Sequence, residues 1–507
     1  MRRGVNRWML MSSLGAGLVA SGCGTLQRYD AETDIHIHRD AGLRQSVSDS
    51  TRVTTERQPE LIPVQATENA DAKANIDFDQ ALETALIWNP TVRLAREAIR
   101  EAEAQALAAN SLFLPSLNAG INYHAHRGNL QRSPGTILDV NSQGLYFGGG
   151  ARTLAAESVA FPGIRIYYPL ADLITEPRMA GQRLETRRSA ALAVQNVNQV
   201  EVAQAYLELI RAGNILKELA STEQDFAEIV RTTQAFAKAG QGREADVNRA
   251  EANRTLIQRQ RLDAEGERVA ASARLSELLN LDPLMVLLPP DRPLAALKLI
   301  DVEATPEQLV ATALANRPEI AARTSEIAEA RLRLRQEQIR PWLPTISAGF
   351  SVGGFGGGSN LVAYEFSHFA SRTDFDVSAV WSFQNVGMGN RALMNRNRAQ
   401  LTQAIAQLES TSNQIREDVI EAQALIQSTA ANIETARRQL SVAEEAYREE
   451  SQRIKQGIGL PLELLDSTRS LLESRLAVIE AISQHNLAQF RLLGALGTPP
   501  EAGALRE

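Results

Sequence analysis

Two kinds of hydrophobic spacing divide this chain. Four segments alternate apolar and polar residues with a period of two, the spacing of a strand whose faces meet different surroundings. In the first, Leu117, Ala119, Ile121, Tyr123 and Ala125 share a face opposite Asn118, Asn122, His124 and His126. A partner follows with Ile164, Ile166, Tyr168 and Leu170. Later, Ile346, Ala348, Phe350 and Val352 oppose Ser347, Gly349 and Ser351, and Phe375, Val377, Ala379, Trp381 and Phe383 oppose Asp374, Asp376, Ser378 and Ser382. The predicted strands are about 115–127, 159–171, 345–355 and 373–384. Each is long enough to cross a bilayer when tilted. A half-buried soluble sheet alternates in the same way, so the strands alone leave both settings open.

The second spacing is helical. Positions 401, 408, 415 and 422 carry Leu, Leu, Ile and Ala, while 405, 419, 426, 433, 440, 447 and 454 carry Ile, Val, Ile, Ile, Leu, Tyr and Ile. This is a heptad seam with Ser412 as its polar exception, and Ala422, Thr429, Ala436 and Ala443 beside it permit close helix approach. From about 388 to 455 there is no proline and, after Gly389, no glycine. A helix of that length extends about 100 Å. The helix returning after Gly459 is about half as long, so one long helix matches two shorter ones stacked end to end. A hollow cylinder uses that geometry; a compact globule does not.

The same elements occur twice. Ala85-Leu86-Ile87-Trp88-Asn89-Pro90 matches Ala313-Leu314-Ala315-Asn316-Arg317-Pro318, and Leu114-Pro115-Ser116-Leu117 matches Leu343-Pro344-Thr345-Ile346. Gly240-Gln241-Gly242 matches Gly457-Ile458-Gly459, each at a turn between helices. The offset is 228 residues at the start (85 to 313) and 217 at the turn (240 to 457), as in a duplication with unequal connections. The predicted organisation is a first repeat over 76–280, a linker over 281–304, a second repeat over 305–498 and a tail over 499–507.

Composition narrows the function classes. The 507 residues include one cysteine, 5% aromatics and a formal charge of −7. One cysteine excludes a disulfide scaffold and a multi-cysteine zinc site. The acidic balance argues against a nucleic-acid partner. Gly148-Gly149-Gly150 and Gly356-Gly357-Gly358 lack the Lys-Ser/Thr of a phosphate loop and read as mobile loops between strands. No nucleophile or metal constellation is evident, so no enzyme activity, cofactor or metal site is expected. His124 and His126 read as solvated lining of the polar face, and His36 and His38 as part of a solvated arm.

Residues 1–22 have the form of a secretory signal: Arg2, Arg3 and Arg7, an apolar run from Trp8 to Ala20, and Ser21-Gly22 before Cys23. Small residues before a cysteine resemble a bacterial lipoprotein signal, which implies a covalent lipid on Cys23. Residues 23–75 are polar and without sustained period, and read as a lipidated, largely disordered tether.

With both openings, the strand pairs and both glycine turns in place, residues 77–498 resemble the TolC-type outer-membrane factor family. The resemblance implies a mainly α protein with a small antiparallel β part: a homotrimer sharing a 12-stranded β-barrel continued by a long α-helical barrel. The 281–304 linker and the C-terminal tail would lie near its equator. It implies the outer membrane of a Gram-negative-type bacterium, an inner-membrane transporter and a periplasmic adapter as partners, and passive conduction of efflux or secretion cargo. It further implies adapter docking at Gly240, Gln241, Gly242, Gly457, Ile458 and Gly459, and a periplasmic gate built from Glu463, Asp466 and Asp246. The family's tyrosine and arginine that hold such a gate closed correspond here to Ile454 and Gly459, so another closing contact is needed, with Arg243, Arg249 and Lys455 as candidates. Acids in a helix's first turn also complement its dipole without any pore. A non-conducting envelope lipoprotein with a periplasm-spanning coiled coil is the rival class.

Overall fold

Proline, asparagine and glycine punctuate the chain where its elements begin and end. The computed structural model describes residues 73–152, 159–240, 242–291, 294–300, 304–362, 366–456, 458–500 and 503–505. In chain order the elements are β1 (Lys73–Asn75), α1 (Phe78–Trp88), α2 (Pro90–Ser111), β2 (Ser116–Leu117), β3 (Gly120–Gln131), β4 (Ile137–Arg152), β5 (Val159–Pro162), β6 (Ile164–Pro169), α3 (Leu170–Lys238) and α4 (Glu244–Leu279). There follow β7 (Val286–Leu288), α5 (Pro306–Asn316), α6 (Pro318–Ile339), β8 (Thr345–Ser359), β9 (Ser367–Val380), α7 (Met388–Lys455) and α8 (Pro461–Ala495). The signal segment, Cys23 and nearly all of the tether lie outside the described residues, as do Gln241 and Gly457.

The repeat is visible in the caps. Asp77 and Gln80 form a capping box on α1, and Thr305 and Gln308 form the same box on α5. Pro90 and Pro318 then occupy the first turns of α2 and α6. α3 and α7 contain 69 and 68 residues, about 100 Å each. Between them, α6 and α8 stack end to end: both pack on α3 and on α7. At the junction a Cβ on Gly497 would meet the Arg317 backbone at 3.1 Å. Arg317 secures this joint with ion pairs to Glu319 (2.9 Å) and Asp418 (3.1 Å). The missing turn between the two helices leaves a cavity of about 390 Å³, lined among others by Val200, Gln204, Leu425 and Gly494.

The long-helix seam is buried where the heptad is regular. Ile415, Val419, Ala422, Ile426, Thr429, Ile433, Ala436 and Ala443 are all buried, whereas Ile405 nearer the sheet is exposed. Three cores result. Phe78, Tyr206 and Phe490 anchor one, with ring centroids 5.4 and 5.9 Å from Phe78. A second joins α5, α7 and the end of α8 through Leu309, Ile415, Val419 and Leu492. The third fills the tip-proximal coil with Phe226, Ile229, Ile257, Leu465 and Leu472. The described part of the 281–304 linker is held against the helices: β7 pairs in parallel with β1, and the Asn486 amide accepts from Leu297 N at 2.8 Å and donates to Ala295 O at 2.9 Å.

The strands differ from expectation in both repeats. The first repeat contributes β4, a 16-residue strand that the alternation did not disclose, while the 159–171 segment splits into β5 and β6. Both glycine runs, expected as loops, lie in strands: Gly148–Gly150 in β4 and Gly356–Gly358 in β8. Glycine serves there because β4 and β8 are registered Gly144 to Gly357 and Gly148 to Gly353. A Cβ on Gly357 would collide with the Gln143 carbonyl oxygen. In the second repeat β9 ends at Val380, so Trp381 and Phe383 fall just beyond it, both exposed.

Apart from the parallel pair β1–β7, the strands form one antiparallel sheet. β4 pairs with β3 and β8, β6 with β2 and β8, and β9 with β8. Spatially this is four lines: β2–β3, then β4 with β6, then β8, then β9. β3 and β9 are its two edges among the described residues.

Candidate functional site

Two parts of the molecule concentrate unusual features, the sheet and the hairpin tips. Register aligns the sheet's faces across all four lines. Ile121, Phe147, Leu145, Ile164, Phe350, Phe375 and Val377 share one face, and the opposite face carries His124, His126, Ser351, Asp374 and Asp376. The apolar face is open: Ile121 is 72%, Phe375 71% and Val377 62% exposed. β3, β8 and β9 have 12, 15 and 14 residues, more than the roughly 9–11 that a tilted strand needs to cross a bilayer. Aromatic rings flank the apolar face: Tyr123, Phe366 and Phe369 stack edge to face at one end, and exposed Trp342, Trp381 and Phe383 stand beyond the other. No helix among the described residues is long and apolar enough to cross a membrane.

The tips lie at the far ends of α3 and α7. At the first, Gly240 closes α3 with φ +72°, and its N–H donates to Ala237 O. Positive φ is the conformation that favours glycine. At the second, the N–H groups of Ile458 and Gly459 both donate to Arg453 O. A Cβ on Gly459 would stand 2.8 Å from Ile454 N and 2.9 Å from the Arg453 carbonyl carbon, so the chain reversal requires glycine here. The first tip presents exposed Arg243 and Glu244, whereas the second presents Ile458, Leu460 and Leu462.

The candidate gate acids occupy distinct settings. Glu463 and Asp466 share the exposed side of the first turns of α8, opposite buried Leu464, Leu465 and Thr468. Glu463 pairs with Arg453 at 3.4 Å across its own hairpin, and Arg453 also holds Glu450 at 2.9 Å. Asp246 is largely covered and pairs within its own helix turn with Arg243 (3.5 Å) and Arg249 (3.8 Å). Two of the three expected substitute partners are therefore in place, but both belong to the first hairpin.

Contacts that join the two hairpins lie higher along the coil. Arg211 pairs with Glu480 at 3.2 Å and Glu218 with Arg475 at 2.7 Å, bridging α3 to α8. One heptad further along α3, Asp225 feels the same Arg475 guanidinium. Burial raises its carboxyl above the ordinary value, with Arg475 opposing and Glu218 reinforcing the shift. Tyr447 of α7 is raised for the same main reason, burial, with Asp225 adding to it. Sequence reasoning missed this ladder. Its only trace is the heptad spacing of positions 211, 218 and 225.

With this geometry, the chain is a duplicated fold of long helices that carry a small antiparallel β-sheet. Residues 309–498 match the family model described as outer membrane efflux protein. The second repeat carries that family's sequence pattern, and 83% of the chain shares its fold with solved structures of outer membrane channels. A membrane protein from Pseudomonas aeruginosa is similar with a TM-score of 0.68 at 19% identity, covering 83% of this chain and 93% of that one. The MtrE outer membrane channel of Neisseria gonorrhoeae, solved in its open state, has a TM-score of 0.64 at 22% identity, covering 83% and 89%. The outer membrane protein VceC of Vibrio cholerae has a TM-score of 0.63 at 16% identity, covering 84% and 97%. A comparison with curated protein sequences finds no match.

Proposed function

We propose that this chain forms the outer-membrane exit duct of a tripartite efflux pump or type I secretion system. One observation carries the reading: a four-line sheet with an exposed apolar face, a polar opposite face and two open edges runs directly into helices of about 100 Å. In hydrocarbon, open edges leave backbone groups unsatisfied, so the sheet must close on copies of itself. Three copies give twelve strands around a polar lumen, with α3 and α7 continuing the wall through the periplasm. The apolar face meets lipid. A coiled-coil rod has no use for such a face.

Cargo passes without chemistry on it, and energy enters at the inner membrane through a transporter joined by an adapter docked on the hairpin tips. Cys23 carries the lipid that fastens each chain to the membrane. Glu463 and Asp466 line the tip constriction and favour cations by focused charge, Glu463 being tempered by Arg453.

The decisive measurement is conductance of purified, folded oligomers in planar bilayers. The duct reading expects a steady conductance, and folded oligomers that carry none would overturn it in favour of the structural rod. Replacing Glu463 and Asp466 together with Ala should weaken divalent-cation block of that conductance. Unchanged block would remove both acids from the constriction.

A further inference from the structure

The two histidines of the polar face sit on an edge. β3 and β9 bound the described sheet, with His124 and His126 on the polar face of β3 and Asp374 and Asp376 on that of β9. On the reading proposed above, the β3 edge of one copy pairs with the β9 edge of the next. Two conditions limit how. Polar face must continue polar face, because a one-residue slip would turn every lumenal side chain toward lipid. All 12 residues of β3 must also find partners among the 14 of β9. Antiparallel pairing meets both conditions in two registers. One sets His124 opposite Asp374 and His126 opposite Arg372; the other sets His124 opposite Asp376 and His126 opposite Asp374.

Either register places a carboxylate directly across from His124. The second is favoured by charge, since it keeps His126 away from the Arg372 guanidinium. It also leaves Asp374 in its ion pair with Arg372 at 2.9 Å and brings exposed Asp376 to the junction. Imidazoles two residues apart on one strand face project side by side, about 7 Å apart along the backbone. Directly opposite side chains on neighbouring strands start about 5 Å apart. Two imidazoles and one carboxylate in that arrangement form an open tetrahedral ligand set of the kind zinc takes. His126 supports this: its Nε2 is shielded from solvent and has no hydrogen-bond partner, a state a buried polar atom rarely keeps without a ligand. No group of three potential ligands forms among the described residues of one chain, which fits a site completed only at the junction.

We propose that each junction between copies in the barrel binds a divalent transition-metal ion of the zinc type, held by His124 and His126 of one copy and Asp376 of the next. Three such ions would ring the lumen at the level of the sheet, far from the acidic tips.

The test uses the full-length assembly in detergent, stripped with chelator and titrated with Zn²⁺ by calorimetry and metal analysis. One ion per chain is expected, and His124→Asn, His126→Asn and Asp376→Asn should each weaken binding about ten-fold or more. Register is read without metal by pairing His124→Cys with Asp376→Cys and, separately, with Asp374→Cys, and scoring disulfides between copies. A disulfide in the first pair with no saturable Zn²⁺ binding overturns the metal site and leaves the barrel standing. A disulfide in the second pair alone overturns Asp376 as the ligand. If neither pair crosslinks, the junction and its site fall together. Zn²⁺ binding in an assembly that passes no current would instead sink the duct and spare the site.

Discussion

The two hairpins descend from one repeated unit, yet they are packed and exposed differently. Position 226 in α3 corresponds to 443 in α7 at the offset of the glycine turns. The first hairpin places Phe226 there, wholly buried, and the second places Ala443. The first tip exposes Arg243 and Glu244, whereas the second exposes Ile458, Leu460 and Leu462 beside Lys455 and Glu463. Asp246 keeps its ion pairs to Arg243 and Arg249 within the first hairpin, with its Oδ1 buried and without a hydrogen-bond partner, whereas Glu463 reaches across its hairpin to Arg453. A duplicated unit can therefore keep its turns and caps while exchanging bulk for close approach in the coil.

The largest expected effect breaks the aromatic side. Phe226→Ala should cost about 3–5 kcal/mol by leaving a cavity in the tip-proximal core. The reverse swap, Ala443→Phe, should cost about 1–3 kcal/mol by overpacking. Denaturant midpoints followed by helical circular dichroism measure both. Equal losses at the two sites would mean that the hairpins are packed alike.

The turns come next. Gly459→Ala forces a Cβ against the Ile454 and Arg453 backbone and should cost about 1–3 kcal/mol. Gly240→Ala meets open space and pays only for its left-handed backbone, about 1 kcal/mol. The same melts rank them, and a Gly240 variant less stable than the Gly459 variant would contradict the close approach at the second tip.

The smallest effects separate the coil from the equator by pH. Asp225 has a raised carboxyl pKa in the fold, so the folded state holds its proton more tightly. Stability from this group therefore falls as pH rises above the ordinary value of 3.8 through the folded one. His485 behaves in the opposite sense. Its ring lies buried between Thr429 and Gln489, each 3.2 Å away, and burial lowers its pKa. The folded state resists its protonation, so stability is lost as pH falls below 6.5 through the folded value. Asp225→Asn should stabilise the coil at neutral pH, with the gain shrinking toward pH 4. His485→Gln should flatten the acid side of the stability profile. A profile unchanged in either variant would remove that residue from the account.

Much of this architecture was legible because the signals are local. The α7 span follows from an unbroken heptad run between Gly389 and the Gly459 turn, and the repeat from proline and glycine at matched offsets. β4 was hidden because glycines on both faces erase alternation, and only the approach of β8 explains them. The ladder of Arg211, Glu218 and Asp225 was hidden for another reason. Its partners Glu480 and Arg475 lie about 260 residues away in sequence, and which helix faces meet depends on rotation that no local pattern records. At the second tip, Arg453 was passed over because a basic residue in a last helical turn ordinarily complements the dipole.

The end-to-end stack of α6 on α8 divides the wall into two mechanical kinds of member. α3 and α7 each run as one helix from sheet to tip and carry tension and torque along their length, α3 with one backbone hydrogen bond missing at Pro177 near the sheet. The stacked pair transmits load only across its joint, where Gly497 rests on Arg317 beside a groove of about 390 Å³. A pull or twist applied at the tips thus reaches the sheet through α3 and α7, while the joint absorbs any mismatch in length between them.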